Sequence, residues 1–169
     1  MHLAVQGGPL HLDGHLGAVV QDGVVHLRAH AQGWESVGIN YVPAAIEAAA
    51  AKSPGVDGFS YIVGDVTRLP SARLGTFGFF LGIGCLQGLD TGQRLSQGGG
   101  VSALANPGVI LLLLLSFGPS RWQRWSEARP QEEVQTAFAG WGMLASEPAD
   151  TAGLGWPMNK IAVARTAPD

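Results

Sequence analysis

Cysteine is nearly missing from this chain. A single residue, Cys85, stands among 169. One thiol excludes an internal disulfide and leaves no cysteine-based zinc cluster with enough ligands, so a reducing cytoplasm is the expected compartment. Charge is scarce as well, at 14% of residues, with ten Lys and Arg against thirteen Asp and Glu and a net charge of −3. Apart from a loose group at Arg121, Arg124 and Arg129 the basic residues are scattered, so no basic stripe invites a nucleic-acid backbone. A run long enough to span a membrane is absent too. The longest apolar stretch, VILLLLLSF at 109–117, is about half the length a bilayer-crossing helix needs, and Pro107-Gly108 and Gly118-Pro119 bracket it. It reads as a strand buried on both faces. The opening MHLAVQGGPLHLDGH has neither a basic start nor a sustained apolar core, so no export signal is expected.

What is present is a hydrophobic fraction of 46% in a chain of one-domain size, enough for one core. Apolar runs of strand length alternate with alanine-rich or polar runs of helix length, the pattern of a parallel sheet covered by helices. Strands are expected at 36–39, 59–63, 77–83, 109–117, 142–147 and 159–164, and helices at 22–32, 43–52, 91–105 and 130–139. The helix from Pro43 carries the clearest signals: proline at the first helical position, alanines behind it, Lys52 in its last turn and Pro54-Gly55 to stop it. The expected fold is α/β, a Rossmann-like doubly wound, mostly parallel sheet with helices on both faces, short at its N-terminal end, forming a single domain over residues 1–169.

Four stretches, VGINYVPAAIEAAAAKSPGV, YIVGDVTRLP, FGFFLGIGCLQGLD and NPGVILLLLLSFGP, follow one another at the intervals of the class I S-adenosylmethionine-dependent methyltransferases. The chain resembles that family from about Gly33 to Pro119, and EVQTAFAGWGMLASEPADTAG extends the likeness more weakly. The resemblance implies S-adenosylmethionine as cofactor, a small-molecule methyl acceptor, and neither nucleic acid nor membrane as partner. Cofactor contacts are then expected at Asp13, Gly14, Gly17, Asn40, Tyr41, Asp65, Val66, Gly84 and Cys85, with no metal. In the family an acid ends the second strand and accepts both ribose hydroxyls. Asn40 stands there, and its amide offers one acceptor oxygen and an NH2 that only donates. Asparagine at a strand-to-helix seam is equally suited to capping the turn. The Gly64-Asp65-Val66 turn is expected to hold adenine, through the Asp65 carboxylate and the Val66 N–H.

The family's glycine-rich first motif, roughly E/D-x-G-x-G-x-G, is here reduced to Leu12-Asp13-Gly14 followed by Gly17. Gly78 and Gly82 stand where the family carries an acid and a polar residue, and Gly82 to Cys85 would form a lip over the methionine part of the cofactor. Cys85 itself suits the role of a small buried hydrophobe better than that of a nucleophile. A noncatalytic relative that kept the fold and lost the cofactor loop is the alternative. A dinucleotide oxidoreductase would need G-x-G-x-x-G after the first strand, a spacing that Gly14 and Gly17 do not supply. His11 with His15, and His26 with His30, stand at i and i+4, but no nearby acid or cysteine completes a metal set. The tryptophans at 122, 125, 141 and 156 suit a core better than a substrate cage.

Overall fold

The structure is a computed structural model, and it describes residues 15–19, 35–52, 54–55, 57–72, 74–116, 130–149 and 158–166. Seven strands form one sheet: β1 (His15–Val19), β2 (Glu35–Asn40), β3 (Phe59–Val63), β4 (Phe77–Ile83), β5 (Ala105–Ser116), β6 (Trp141–Ala149) and β7 (Met158–Arg165). Their spatial order is β3-β2-β1-β4-β5-β7-β6. The first five are mutually parallel, and β7 runs antiparallel to both β5 and β6. Three α-helices accompany them, α1 (Pro43–Ala51), α2 (Thr91–Leu104) and α3 (Pro130–Ala137), with a 3-10 segment at Val66–Ala72. The step from β2 to β3 moves outward in one direction and the step from β4 to β5 in the other. Right-handed crossovers therefore put α1 and α2 on opposite faces.

The apolar run centres the molecule. Val109 to Leu115 are all buried, because β5 lies between β4 and β7 and both its faces are covered. One face packs Phe77, Phe80, Leu111, Leu113, Ile161 and Val163 against Val101 and Leu104 of α2 and Val134 and Phe138 at α3; the other gathers Leu81, Leu112 and Ala162. β5 begins earlier than its apolar run. Ala105 already pairs with Phe77, Asn106-Pro107-Gly108 then bulges out of register, and Gly108 takes φ +72° before regular pairing resumes at Ile110 with Phe79.

α2 forms despite glycines at 98, 99 and 100, each of which costs a helix about 1 kcal/mol relative to alanine. Its start is fixed by a capping box: the Gln93 N–H donates to Asp90 Oδ1 at 2.8 Å and the Asp90 N–H to Gln93 Oε1 at 2.9 Å. At its other end Arg165 donates to the carbonyls of Ser102 and Ala105, supplying a cation where the helix leaves carbonyls unpaired. Gly98 has a packing reason. A Cβ built there would lie 1.7 Å from the Ala137 carbonyl oxygen, so only glycine lets α3 come this close. Trp141 belongs to the core, its Nε1–H donating to Ser102 Oγ at 2.8 Å and its ring edge-on to Phe138.

Most expected elements recur within a few residues of where the pattern put them, and 59–63 and 77–83 recur unchanged. The first strand differs. Residues 15–19 form β1, in register with β2 and β4, across the stretch read as the loop that follows the strand. The expected helix at 22–32 lies outside the described residues.

Candidate functional site

Between β1 and β4 the winding of the sheet reverses, and open α/β sheets bind ligands beyond the carboxyl ends of the strands at such a point. Three of the sequence-expected segments end on that edge. Asn40 closes β2, Gly64-Asp65 follows β3, and Gly84-Cys85 follows β4. Backbone bonds lock them to their neighbours: the Gly64 N–H donates to the Asn40 carbonyl at 3.0 Å, and the Gly84 N–H to the Leu114 carbonyl at 2.9 Å.

The Asn40 side chain is engaged locally. Its Oδ1 accepts the Val42 N–H at 2.9 Å, an Asx turn that carries the chain from β2 into α1. The turn-capping role is therefore present, and one lone pair of Oδ1 remains for a ligand. Tyr41 is 78% exposed, and Val42 and Val63 beside it are exposed as well, so this end of the sheet presents apolar surface to solvent. Asp65 is held by its own turn, with Oδ1 accepting from the Thr67 N–H at 2.8 Å and the Thr67 hydroxyl at 2.7 Å. Oδ2 stands 3.8 Å from Arg68 Nε in an exposed pair of little energetic weight. The Thr67 N–H, then its hydroxyl, then the Arg68 charge hold the Asp65 carboxyl below the usual carboxylate range, so it is ionised at neutral pH. Val66 begins the 3-10 segment, where an N–H has no partner within the element.

Gly84 adopts φ +66°, a left-handed conformation that turns the chain out of β4 and is open to glycine at no steric cost. Gly82 has a different reason to lack a side chain. A Cβ there would come within 2.7 Å of both Cys85 Sγ and Leu113 Cδ2, so the space is taken by the protein itself. Cys85 as a residue is half-buried, yet its sulfur packs inward over Gly82, and burial pushes the thiol up to about 11 despite hydrogen bonds from Gln97 and the backbone. It stays protonated at neutral pH, a poor nucleophile. Gln97 of α2 is 2% exposed and shares with Gly82 and Cys85 the wall of an otherwise apolar cavity of about 30 Å³. A larger cleft of about 560 Å³ opens at the amino ends of β2, β3 and β4, the end of the sheet opposite these segments.

Gly17 is not gathered with the loop residues: it lies within β1, paired with Val37 and Phe80. A glycine at the centre of a parallel strand is too far back to line a loop beyond the strand's end. Asp13 and Gly14 lie outside the described residues, as do His11, His26, His30, Trp122, Trp125 and Trp156. Among the described residues no group of three or more His, Cys, Asp or Glu side chains could hold a metal, and no helix is long and apolar enough to cross a membrane. Sequence reading passed over Thr67, which orients Asp65, and Gln97, which reaches Cys85 from within the core. The first had a visible signal in Asp-x-Thr after a strand; a buried glutamine in a glycine-rich helix has none.

The strand order, with its single antiparallel hairpin strand beside β5, is the fold of the class I S-adenosylmethionine-dependent methyltransferases. The chain is similar to the N-methyltransferase NodS from Bradyrhizobium japonicum WM9, with a TM-score of 0.73 and 13% identity over 91% of this chain and 86% of that one. NodS has also been crystallised in complex with S-adenosyl-L-homocysteine. The glycopeptide N-methyltransferase MtfA, complexed with the same molecule, matches at a TM-score of 0.70 and 16% identity over 90% of this chain and 82% of its own. A 16S rRNA (adenine(1408)-N(1))-methyltransferase from Catenulisporales acidiphilia matches at a TM-score of 0.67 and 19% identity, covering 93% and 87%. No family model and no curated protein matches the sequence.

Proposed function

We propose that the chain binds S-adenosylmethionine at the carboxyl edge of β2, β3 and β4 and transfers its methyl group to a small-molecule acceptor. The observation that carries this is the intact Gly64-Asp65-Val66 turn at the sheet's switch-point edge, in a fold whose neighbours have been crystallised with the demethylated cofactor. The residues fit the adenosine part. Asp65 presents an ionised carboxylate whose Oδ2 is available to an adenine amino group, and the Val66 N–H is suited to a ring nitrogen. Tyr41 leaves accessible apolar surface for a flat base, and Asn40 keeps one acceptor lone pair for a ribose hydroxyl. Gly84 and Cys85 would line the methionine part, with Asp13, Gly14 and Gly17 as the remaining first-motif candidates. Of these, Gly17 acts only through the strand it belongs to.

When bound, the cofactor supplies an activated methyl group on a sulfonium. The chain's own task is positioning, since methyl transfer to a good nucleophile needs alignment more than a general base. A small acceptor is favoured over RNA by thirteen acidic against ten basic residues and by the absence of a basic stripe in the sequence, although one structural neighbour methylates rRNA. A second reading, a noncatalytic relative, draws on one observation: Asn40 brings no charge to the ribose position and already spends part of its acceptor capacity on Val42.

Calorimetric titration with S-adenosyl-L-homocysteine separates the two. Micromolar binding supports the enzyme, and Asp65→Ala is then expected to weaken it by about 1–3 kcal/mol, the cost of an unpaired adenine amino group. Unchanged affinity in a folded Asp65→Ala protein would move adenine elsewhere, and no binding by the wild type favours the noncatalytic relative.

A further inference from the structure

The chain leaving the Gly82–Cys85 segment is gripped from beneath by one helix. Arg94 Nε donates to the Leu86 carbonyl at 3.3 Å while its Nη1 pairs with Glu133 at 2.9 Å, both side chains of the ion pair being largely buried. One turn further along α2, on the same helix face, comes Gln97. Its side chain hydrogen-bonds the Cys85 sulfur, yet its Oε1 is buried and has no partner among the described residues. A glutamine in this position is unexpected on packing grounds. The cavity it enters is walled by Val101, Leu104, Leu111, Leu113 and Phe138, where an aliphatic side chain of similar length would lose nothing. Burying an amide with half its hydrogen bonding unmet costs about 1–3 kcal/mol. Such a group in a native interior calls for a partner or a role.

We propose that Gln97 is a positioning residue of the cofactor site: from inside the core it fixes the Gly82–Cys85 turn through the Cys85 sulfur, and its carbonyl oxygen binds one water molecule in the cavity below. The volume agrees, because about 30 Å³ holds a single water and that water finds acceptor and donor partners in the amide oxygen and the thiol. Gly82 completes the device. Its missing Cβ is the space into which Cys85 Sγ folds, so the sulfur is clasped between a strand glycine on one side and the helix amide on the other. The turn that this anchor would steady lies directly above, where Gly84 is left-handed and donates its N–H to the Leu114 carbonyl. The role of the lip rests on the cofactor reading given above; the anchoring of Cys85 does not.

The test uses the fact that Cys85 is the only cysteine, so a thiol reagent reports on this one position. Gln97→Met keeps the volume and removes the hydrogen bond, and Gln97→Leu is a second apolar replacement should the first disturb packing. Under native conditions, with melting curves showing each variant folded, the rate of Cys85 labelling by a neutral maleimide is expected to rise at least fivefold in both. A residue that merely fills space would leave the methionine variant at the wild-type rate, and that result in either folded variant overturns the proposal. Titration with S-adenosyl-L-homocysteine is expected to show roughly tenfold weaker binding in the variants. Faster labelling with undiminished affinity overturns the link to the cofactor. Faster labelling in a protein whose wild type does not bind supports the anchoring of Cys85 and refutes the cofactor reading alone.

Discussion

The two halves of the sheet are built to different standards. On the β5–β7 side Leu113, Ile161, Val163, Val134 and Phe138 are each at most 1% exposed, and a capping box, an ion pair and a glycine-mediated helix crossing hold the covering helices down. On the β2–β3 side α1 buries only Ala49, β3 is nowhere fully buried, and Val63 and Tyr41 are 53% and 78% exposed. The candidate ligand contacts at Asn40, Tyr41, Asp65 and Val66 all belong to the second half. One half supplies most of the buried apolar packing, and the other leaves its strand ends and polar groups uncovered, where the proposed ligand contacts lie. A surface that must bind cannot also be filled by its own core.

The contrast breaks if both halves respond alike to truncation. Leu113→Ala is expected to cost about 4 kcal/mol, the usual range for emptying a fully buried leucine site, whereas Val63→Ala on the exposed edge is expected to stay within about 0.5 kcal/mol. Urea denaturation of both proteins measures this directly, and comparable losses would mean that the β2–β3 half is as tightly built as the other. A finer probe sits within α2. Gly98→Ala forces a methyl group into the Ala137 carbonyl and is expected to cost about 3 kcal/mol through strain at the helix crossing. Its neighbour Gly99 has nothing within 4 Å of the corresponding position, so Gly99→Ala is expected to gain about 0.5–1 kcal/mol from helix propensity alone. Equal effects at the two sites would show that α3 does not approach α2 this closely.

What could be read from the sequence follows local pattern and cuts across that division. β4 was legible to the residue and β5 at its core, because seven consecutive buried apolar residues have no other comfortable environment. α1 was legible from Pro43 and its alanines. The start of β5 was not, because the pairing of Ala105 with Phe77 is a tertiary event with no local pattern. β1 has a weak signal for a related reason: HLGAV is short and weakly apolar, and its Gly17 reads as part of a glycine loop although it pairs with Val37 and Phe80 inside the strand. Asp65 stood out because Gly-Asp follows a clear strand. Gln97 did not, since polar residues of a helix announce burial only through the partner they meet.

Asn40 carries a smaller expected effect than Leu113 or Gly98, and it lies where turn and ligand compete for one side chain. Its Oδ1 accepts the Val42 N–H, and its NH2 can only donate. In Asn40→Asp one carboxylate oxygen keeps the Val42 bond and the other is released to accept ribose hydroxyls. Hydrogen bonds to a charged group contribute about 1.5–3 kcal/mol against about 0.5–1.5 for neutral ones. The net gain in affinity for S-adenosyl-L-homocysteine is therefore expected to be roughly tenfold, since 1.4 kcal/mol is one factor of ten. Titration of both proteins, with melting curves to establish that each is folded, reads the difference. Equal affinities would assign Asn40 wholly to the turn, and the ribose would then have to be held from another strand end.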